Sequence, residues 1–283
     1  EFRRVLFRSN GAINELNRFK ADPFKQAPVA PLAYLRQASL FRSQNKATEA
    51  AAALQEARSN YEAALINDLT RAAWAPLLQY QHALAIKEVA YKDPAKLDVA
   101  KLNEARTQFE NLKQRFAASP EAADAAWRAG QCRREEFAPK LAVARSLLLK
   151  KEAKPEELTA GNQQIQESVK QLAETGAYFV AQAGALGQKG VGSEIHQRML
   201  YEAAWCYQWV GDVEVDAARA KLVEEALKKQ KEEAAKQPAG LVGVVNAKIP
   251  QFPITAIPLQ PSEKLGRDQY KAVIASKADS PLA

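Results

Sequence analysis

Arg106–Ala122 (RTQFENLKQRFAASPEA) and Arg267–Ala283 (RDQYKAVIASKADSPLA) align without a gap, so one segment occurs twice in the chain. The copies share Arg, Gln, Ala, Ser, Pro and Ala at equivalent positions, and Phe109 corresponds to Tyr270. Each copy predicts a helix, a short polar turn and a Ser-Pro pair that opens the next helix. Such recurrence predicts a helical repeat array, whose units bury their apolar faces by stacking on neighbours.

Both ends of the sequence lead us to expect an internal piece of a longer array. The second copy stops where its next helix would open, and residues 1–9 end in RVLFRS, which resembles the translation of a sequencing adapter. We therefore expect residues 1–9 to lie outside the fold. The alternative is a genuine basic, amphipathic N-terminus. The compartment stays open, because a signal peptide or anchor would precede this sequence.

Composition predicts an all-α protein. Strong helix formers dominate and glycine numbers only 12 in 283 residues, so the summed helix propensity is high. No apolar run approaches the roughly 18 residues of a membrane span, so no membrane insertion is expected. The net charge of +7 is spread over mixed-sign faces such as Lys228–Lys236, which predicts a solvated surface and no nucleic-acid partner.

The pattern along the chain divides it into regions. Residues 10–30 predict a helix remnant and linker, 31–237 a repeat array, 238–261 a Pro-rich extended connection, and 262–283 the last helix with the start of a truncated repeat.

Within the array, apolar spacing predicts helical hairpins joined by tight turns, the first at Asn45-Lys46. Ser119 is expected to cap the helix that opens the third hairpin. The later part predicts a degenerate hairpin broken near Gly176, a flexible loop at Gly187–Gly192 and a turn at Gly211. The predicted pairs are Leu32–Asn45 with Ala47–Ile66, Arg71–Tyr91 with Leu97–Phe116, residues 119–137 with Lys140–Lys151, and Glu194–Val210 with residues 213–236.

Ala38 and Phe41, followed by Ala50, Leu54 and Ala57, have the order and spacing of the packing positions of a tetratricopeptide repeat, and the chain resembles that family here. The resemblance implies a right-handed α-solenoid of antiparallel hairpins. The intervals between equivalent positions exceed the roughly 34 residues of a standard unit, so helical repeats of about 40 to 47 residues remain an alternative. The Ser-Pro-Glu-Ala style is similar to repeats of bacterial envelope proteins, which suggests a periplasmic or envelope location by analogy only; a cytoplasmic one stays open.

The resemblance also implies a concave groove, lined by the first helix of each hairpin, that binds a protein or peptide partner. For Trp127 and Trp205 a place in the core is the favoured alternative to the groove, because tryptophan between helices is usually buried. The implied groove residues are Arg42, Tyr80, Lys87, Trp127, Gln131, Arg134, Tyr201, Trp205, Gln208 and Trp209.

No catalytic or cofactor motif stands out in the sequence. His82 and His196 lie on separate predicted helices, while Cys132 and Cys206 lack metal-ligand spacing and suit small buried hydrophobes. We therefore expect no enzyme, cofactor or metal, and predict a scaffold for protein or peptide partners within a larger bacterial protein. The alternatives are a structural spacer, or the regulatory array of an enzyme whose catalytic domain lies elsewhere.

Overall fold

The computed structural model describes residues 10–93, 96–148, 150, 154–188, 194–235 and 250–276. Within these ranges the regular structure is helical and contains no strand, which confirms the all-α prediction. The predictions for residues 1–9, for most of Gly187–Gly192 and for Ser280-Pro281 concern positions outside the described residues.

The described helices are long and follow one another closely along the chain. Short 3₁₀ turns occupy Asn17–Lys20, Phe24–Gln26 and Ile254–Ala256. The α-helices are α1 (residues 10–16), α2 (Ala30–Ser43), α3 (Ala47–Ile66), α4 (Trp74–Ala90), α5 (Val99–Arg115), α6 (Glu121–Leu148), α7 (Pro155–Gln188), α8 (Glu194–Ala235) and α9 (Pro261–Ser276).

Contacts divide the chain between Glu136 and Phe137 into two compact units, called unit 1 and unit 2 below. In unit 1 consecutive helices pack in series, α2 on α3, α3 on α4 and α4 on α5. The predicted packing positions Ala38, Leu54 and Phe109 are all buried in this unit. Small residues let the paired helices approach, and the large ones fill the space between them.

Of the two local signals predicted in unit 1, the turn at Asn45-Lys46 is present and the side-chain cap at Ser119 is not. Asn45 takes a positive φ of 59°, a left-handed conformation that asparagine tolerates well, and this closes the α2–α3 turn. Asp98 caps α5 by accepting a hydrogen bond from the Lys101 backbone N–H at 3.0 Å. The side chain of Ser119 makes no hydrogen bond, however, and only its carbonyl accepts one, from the Ala122 N–H.

In unit 2, α7 packs on α8 and α8 on α9. Leu172 and Phe179 of α7 and Met199 of α8 are fully buried here. The described part of the Pro-rich connection, residues 250–260, has no helix beyond its 3₁₀ turn and leads into α9. Glu263 accepts a hydrogen bond from the Gln260 N–H at 2.9 Å and so caps α9 from within.

Three predicted breaks are wrong, because the helices run through them. α6 continues past Pro139, and α7 and α8 continue past Gly176 and Gly211. Leu141 and Ala144 are buried beyond Pro139, and their packing offsets the hydrogen bond that proline removes. The two glycines lie where another element approaches the helix closely. Glycine here permits contact rather than a turn.

Candidate interaction surface

The predicted groove residues of unit 1 lie on α2, α4 and α6, the first helix of each predicted hairpin. Arg42 on α2 donates through Nε to both carboxylate oxygens of Glu88 on α4, at 2.9 and 2.8 Å. It also donates through Nη1 to the side-chain oxygen of Gln81 at 2.9 Å. The guanidinium therefore ties two neighbouring helices together through a bidentate pair, which is the stronger kind of ion pair.

A second set of polar contacts joins α4 to α6. The Lys87 ammonium lies 2.9 Å from Glu135 and 3.4 Å from the side-chain oxygen of Gln131. The Tyr80 hydroxyl donates to Asp124, and burial together with this carboxylate raises the pKa of Tyr80 to about 12. The predicted groove residues of these helices thus meet one another or their immediate neighbours.

These contacts leave little of the predicted unit 1 groove accessible. Lys87, Trp127 and Gln131 are 9%, 7% and 8% exposed, so their side chains belong mainly to the packing of the unit. Arg134 is half-buried. The side chain of Arg42 is 28% exposed, and its charge is already paired.

The two histidines take part in hydrogen bonds of the fold. Arg58 Nη1 lies 3.0 Å from His82 Nδ1 and 2.8 Å from the side-chain oxygen of Gln108. Because a guanidinium only donates, Nδ1 must accept, and the neutral ring carries its proton on Nε2. Burial and the charge of Arg58 lower the pKa of His82 to about 4. In unit 2, His196 Nδ1 lies 2.9 Å from the Ala183 carbonyl oxygen.

Unit 2 displays aromatic side chains at its surface. Tyr201 and Trp205 on α8 are each 37% exposed, and Gln208 on the next turn is exposed too. Tyr270 of α9 packs its ring against Tyr201, edge to face at 5.9 Å, and its hydroxyl donates to Gln208 Oε1 at 3.3 Å. We call Tyr201, Trp205, Gln208 and Tyr270 the aromatic surface.

A buried position was favoured for two tryptophans, and one of them is exposed. Trp127 is buried as favoured, whereas Trp205 faces outward; Trp209 is half-buried. The sequence reasoning did not select Tyr270. A signal was present in the repeated segment, because its counterpart Phe109 is fully buried while Tyr270 adds a hydroxyl that suits a half-exposed position.

Close packing of α9 on α8 brings Tyr270 beside Tyr201. A Cβ atom on Gly211 would lie 2.9 Å from Glu263 Cγ and 3.1 Å from the Glu263 backbone N, so any larger residue would push the helices apart. At Gly266 of α9 a Cβ would meet α8 only at ordinary contact distances, 3.4 Å from the Ala204 carbonyl oxygen. Gly211 is therefore the glycine that permits the close approach of α8 and α9 beside the aromatic surface.

Glu214 of α8 fixes the start of α9. Its carboxylate accepts from the Ser262 backbone N–H at 3.0 Å and from the Ser262 hydroxyl at 2.8 Å. A carboxylate at a helix N-terminus satisfies backbone donors and complements the helix dipole. α9 is therefore held by a specific contact as well as by apolar packing.

The described residues contain no group of three or more His, Cys, Asp or Glu side chains placed to hold a metal ion. Cys132 and Cys206 are buried thiols that form no disulfide, and burial raises the pKa of Cys132 to about 12. Across the ranges given above, no helix combines the length and the apolar character that spanning a bilayer requires.

Comparison with protein-family models gives no match, and comparison with curated proteins gives none either. The structure itself shows neighbouring helices packed in series, which is compatible with a helical repeat fold.

Proposed function

We propose that this chain is a non-enzymatic scaffold that binds protein or peptide partners, and that the aromatic surface of unit 2 contacts the partner. The fold we assign is a right-handed, tetratricopeptide-like solenoid. Serial packing of the helices and the small and large packing positions of unit 1 support this assignment.

The observation that carries the proposal is the exposure of Tyr201 and Trp205 on adjacent turns of one helix. Tyrosine and tryptophan are enriched at the centres of protein interfaces, where a large apolar ring and one polar atom bind together. Gln208 and the Tyr270 hydroxyl add hydrogen-bonding groups at the edge of the same surface.

A purely structural spacer is less well supported. A spacer has no need to leave large aromatic rings in water, since each exposed ring forgoes part of the roughly 2 kcal/mol that burying such a side chain contributes. Holding Tyr270 against Tyr201 by close helix packing fits a surface kept in a defined shape for binding.

The experiment is selection of binders from a displayed random-peptide library, followed by affinity measurement on the wild-type chain and on Tyr201→Ala/Trp205→Ala. We expect the selected peptides to bind the wild type and to lose at least about tenfold in affinity on the double variant, since interface aromatics often contribute 2 kcal/mol or more. Tyr91→Ala is the matched control, because Tyr91 is a 42% exposed aromatic residue of unit 1.

Peptides that bind the double variant as tightly as the wild type would exclude the aromatic surface as the binding site. A failure to select any peptide that prefers the wild type to Tyr201→Ala/Trp205→Ala would contradict the proposal as a whole. Circular dichroism of each variant shows whether its helical fold is intact.

A further inference from the structure

Unit 1 contains a cavity of about 440 Å³ that is separate from the predicted groove. It lies between the segment that precedes α2 and the second half of α3. Lys25 and Gln26 line it from the first side, Asn60 and Tyr61 from the second, and Arg71 from the turn after α3. The volume falls within the roughly 300 to 1,000 Å³ typical of ligand pockets.

Hydrogen bonds hold the walls of the cavity in place. The Tyr61 hydroxyl donates to the Lys25 backbone carbonyl at 3.1 Å, which ties the leading segment to α3. Arg71 Nη1 donates to the Pro28 carbonyl at 3.0 Å and ties the same segment to the turn after α3. The cavity is thus bounded by structure that is fixed from both sides.

The polar lining is cationic. Lys25 and Arg71 line the cavity, and none of its lining residues is an aspartate or glutamate. Arg71 is compensated, since its Nε lies 2.8 Å from Asp68 Oδ2. The half-buried Lys25 ammonium makes no hydrogen bond or ion pair within the described residues.

A neighbouring carboxylate is already occupied. Glu56 accepts hydrogen bonds from the Lys20 ammonium and the Tyr34 hydroxyl, both at 2.9 Å. Burial alone would raise the pKa of Glu56, but these two bonds and the charges of Lys20 and Lys25 hold the pKa below its usual value. The charge of Lys25 therefore helps to lower the pKa of Glu56, although the two side chains do not form an ion pair.

The rest of the lining is apolar. Pro31, Ala64 and Leu65 line the cavity beside the Tyr61 ring, and of these three Ala64 is the exposed one. A ligand that fits must combine one negative charge with a short apolar body. Phosphate or sulfate would leave this apolar part of the wall uncovered.

We propose that this cavity binds a short aliphatic carboxylate, with the Lys25 ammonium pairing with the carboxylate and the aliphatic part lying against Tyr61 and Ala64. The carboxamides of Asn60 and Gln26 supply further donors at the same site. The carboxylate could belong to a free organic acid or to the C-terminal residue of a peptide, which present the same chemistry. This site lies in unit 1 and its test does not depend on the aromatic surface.

The test is an NMR titration of the full chain with isovalerate and with its neutral isostere isovaleramide, following the Asn60 and Gln26 side-chain amides. Isovalerate is expected to bind at least about tenfold more tightly than the amide, because only the acid carries a charge that the Lys25 ammonium can pair with. N-acetylleucine and N-acetylleucinamide form the second pair. If the acid of that pair binds more tightly than isovalerate, the source is a peptide terminus; if isovalerate binds more tightly, the source is a free acid.

Lys25→Met keeps the length of the side chain and removes its charge, and it should lower the affinity for isovalerate at least about tenfold. Lys25→Arg should retain binding, and Lys46→Met, which alters an exposed lysine of the same unit, should leave it unchanged. The backbone carbonyl that Tyr61 binds is present in every variant, so we expect the wall to persist. If Lys25→Met fails to fold, Lys25→Gln and the loss of binding at high salt provide the same test.

Equal binding of acid and amide would overturn the proposal, as would undiminished binding to Lys25→Met. Shifts of the Asn60 and Gln26 amides that do not saturate with isovalerate would overturn it too, since a site must fill.

Discussion

Charged side chains link helices in both units, as Arg145 does with Asp216 in unit 2, but in unit 2 the helices α8 and α9 also approach closely at a glycine. Arg42 reaches Glu88 and Lys87 reaches Glu135 in unit 1. In unit 2, Gly211 lets α8 and α9 approach closely, since a Cβ there would lie 3.1 Å from the Glu263 backbone N. This difference between the units accompanies the burial of Trp127 in unit 1 and the partial exposure of Trp205 in unit 2.

The largest expected effect tests that difference with a matched pair of tryptophans. Trp127→Ala should lower the free energy of unfolding by about 3 to 5 kcal/mol, because it removes a buried ring and leaves a cavity. Trp205→Ala should lower it by less, about 1 to 2 kcal/mol, since this residue is 37% exposed in the folded chain. Urea unfolding followed by circular dichroism measures both. Equal losses would show that Trp205 is packed as firmly as Trp127.

The charged network of unit 1 should make stability depend on pH. The pKa of His82 is lowered from 6.5 to about 4, so the unfolded chain binds a proton at a higher pH than the folded chain does. Stability is full above pH 6.5 and should fall by up to about 3 kcal/mol as pH drops towards 4. Unfolding measured at a series of pH values tests this.

His82→Asn is the control for that measurement, because asparagine keeps an acceptor near the position of Nδ1 and does not titrate. Its stability should be flat between about pH 6.5 and 5.5. At lower pH the stability of both proteins should also fall through Glu62, whose pKa burial raises but Arg58 and Arg115 lower by more. A variant as pH-sensitive as the wild type above about pH 5.5 would remove His82 as the cause.

Replacing a glycine of unit 2 by alanine should change stability in opposite directions at two positions. Gly211→Ala should destabilise the chain by about 1 to 3 kcal/mol, because the new Cβ would clash with Glu263. Gly184→Ala in α7 has nothing within 4 Å and should stabilise the chain by about 0.5 to 1 kcal/mol through helix propensity. Thermal unfolding distinguishes them. Stabilisation by both would mean that α8 and α9 are not in close contact at Gly211.

The smallest expected effect compares the caps of two helices. Asp98→Ala should lower the free energy of unfolding by about 1 kcal/mol through loss of the α5 cap. Glu214→Ala should have a similar effect, and it should also weaken peptides selected on the aromatic surface, because Glu214 holds α9 from another helix. Unfolding and peptide affinity are measured on both variants. Weakened peptide binding in Asp98→Ala would contradict this distinction.

The hairpins of unit 1 were predictable because local residues determine them. Asn45 suits a left-handed turn, and alternation of alanine with large residues identifies the buried face. In unit 2 a glycine inside a helical pattern had two interpretations, a break or a close contact. The residue that packs against the glycine decides which interpretation holds. Tyr207 packs beside Gly176 and Glu263 beside Gly211, and both are distant from their glycine in sequence.

The candidate site was predictable only by helix face. The repeat pattern placed Tyr201, Trp205 and Gln208 on one helix, but periodicity does not show whether a neighbour covers that face. Tyr270, which completes the aromatic surface, follows a connection of more than twenty residues, and no local rule links it to α8. The same holds for Lys87 and Glu135, whose pairing depends on how α4 and α6 align.

The contact between Glu214 and Ser262 has a consequence for how this chain can vary. Because a contact with α8 fixes where α9 begins, the length of the connection between them does not determine that position. Adding residues between two positions that are already fixed adds only slowly to the entropy of closing the chain between them. The connection between α8 and α9 is therefore the place where insertions should accumulate among relatives, and where a reporter or a second binding module could be grafted without disturbing the helices on either side.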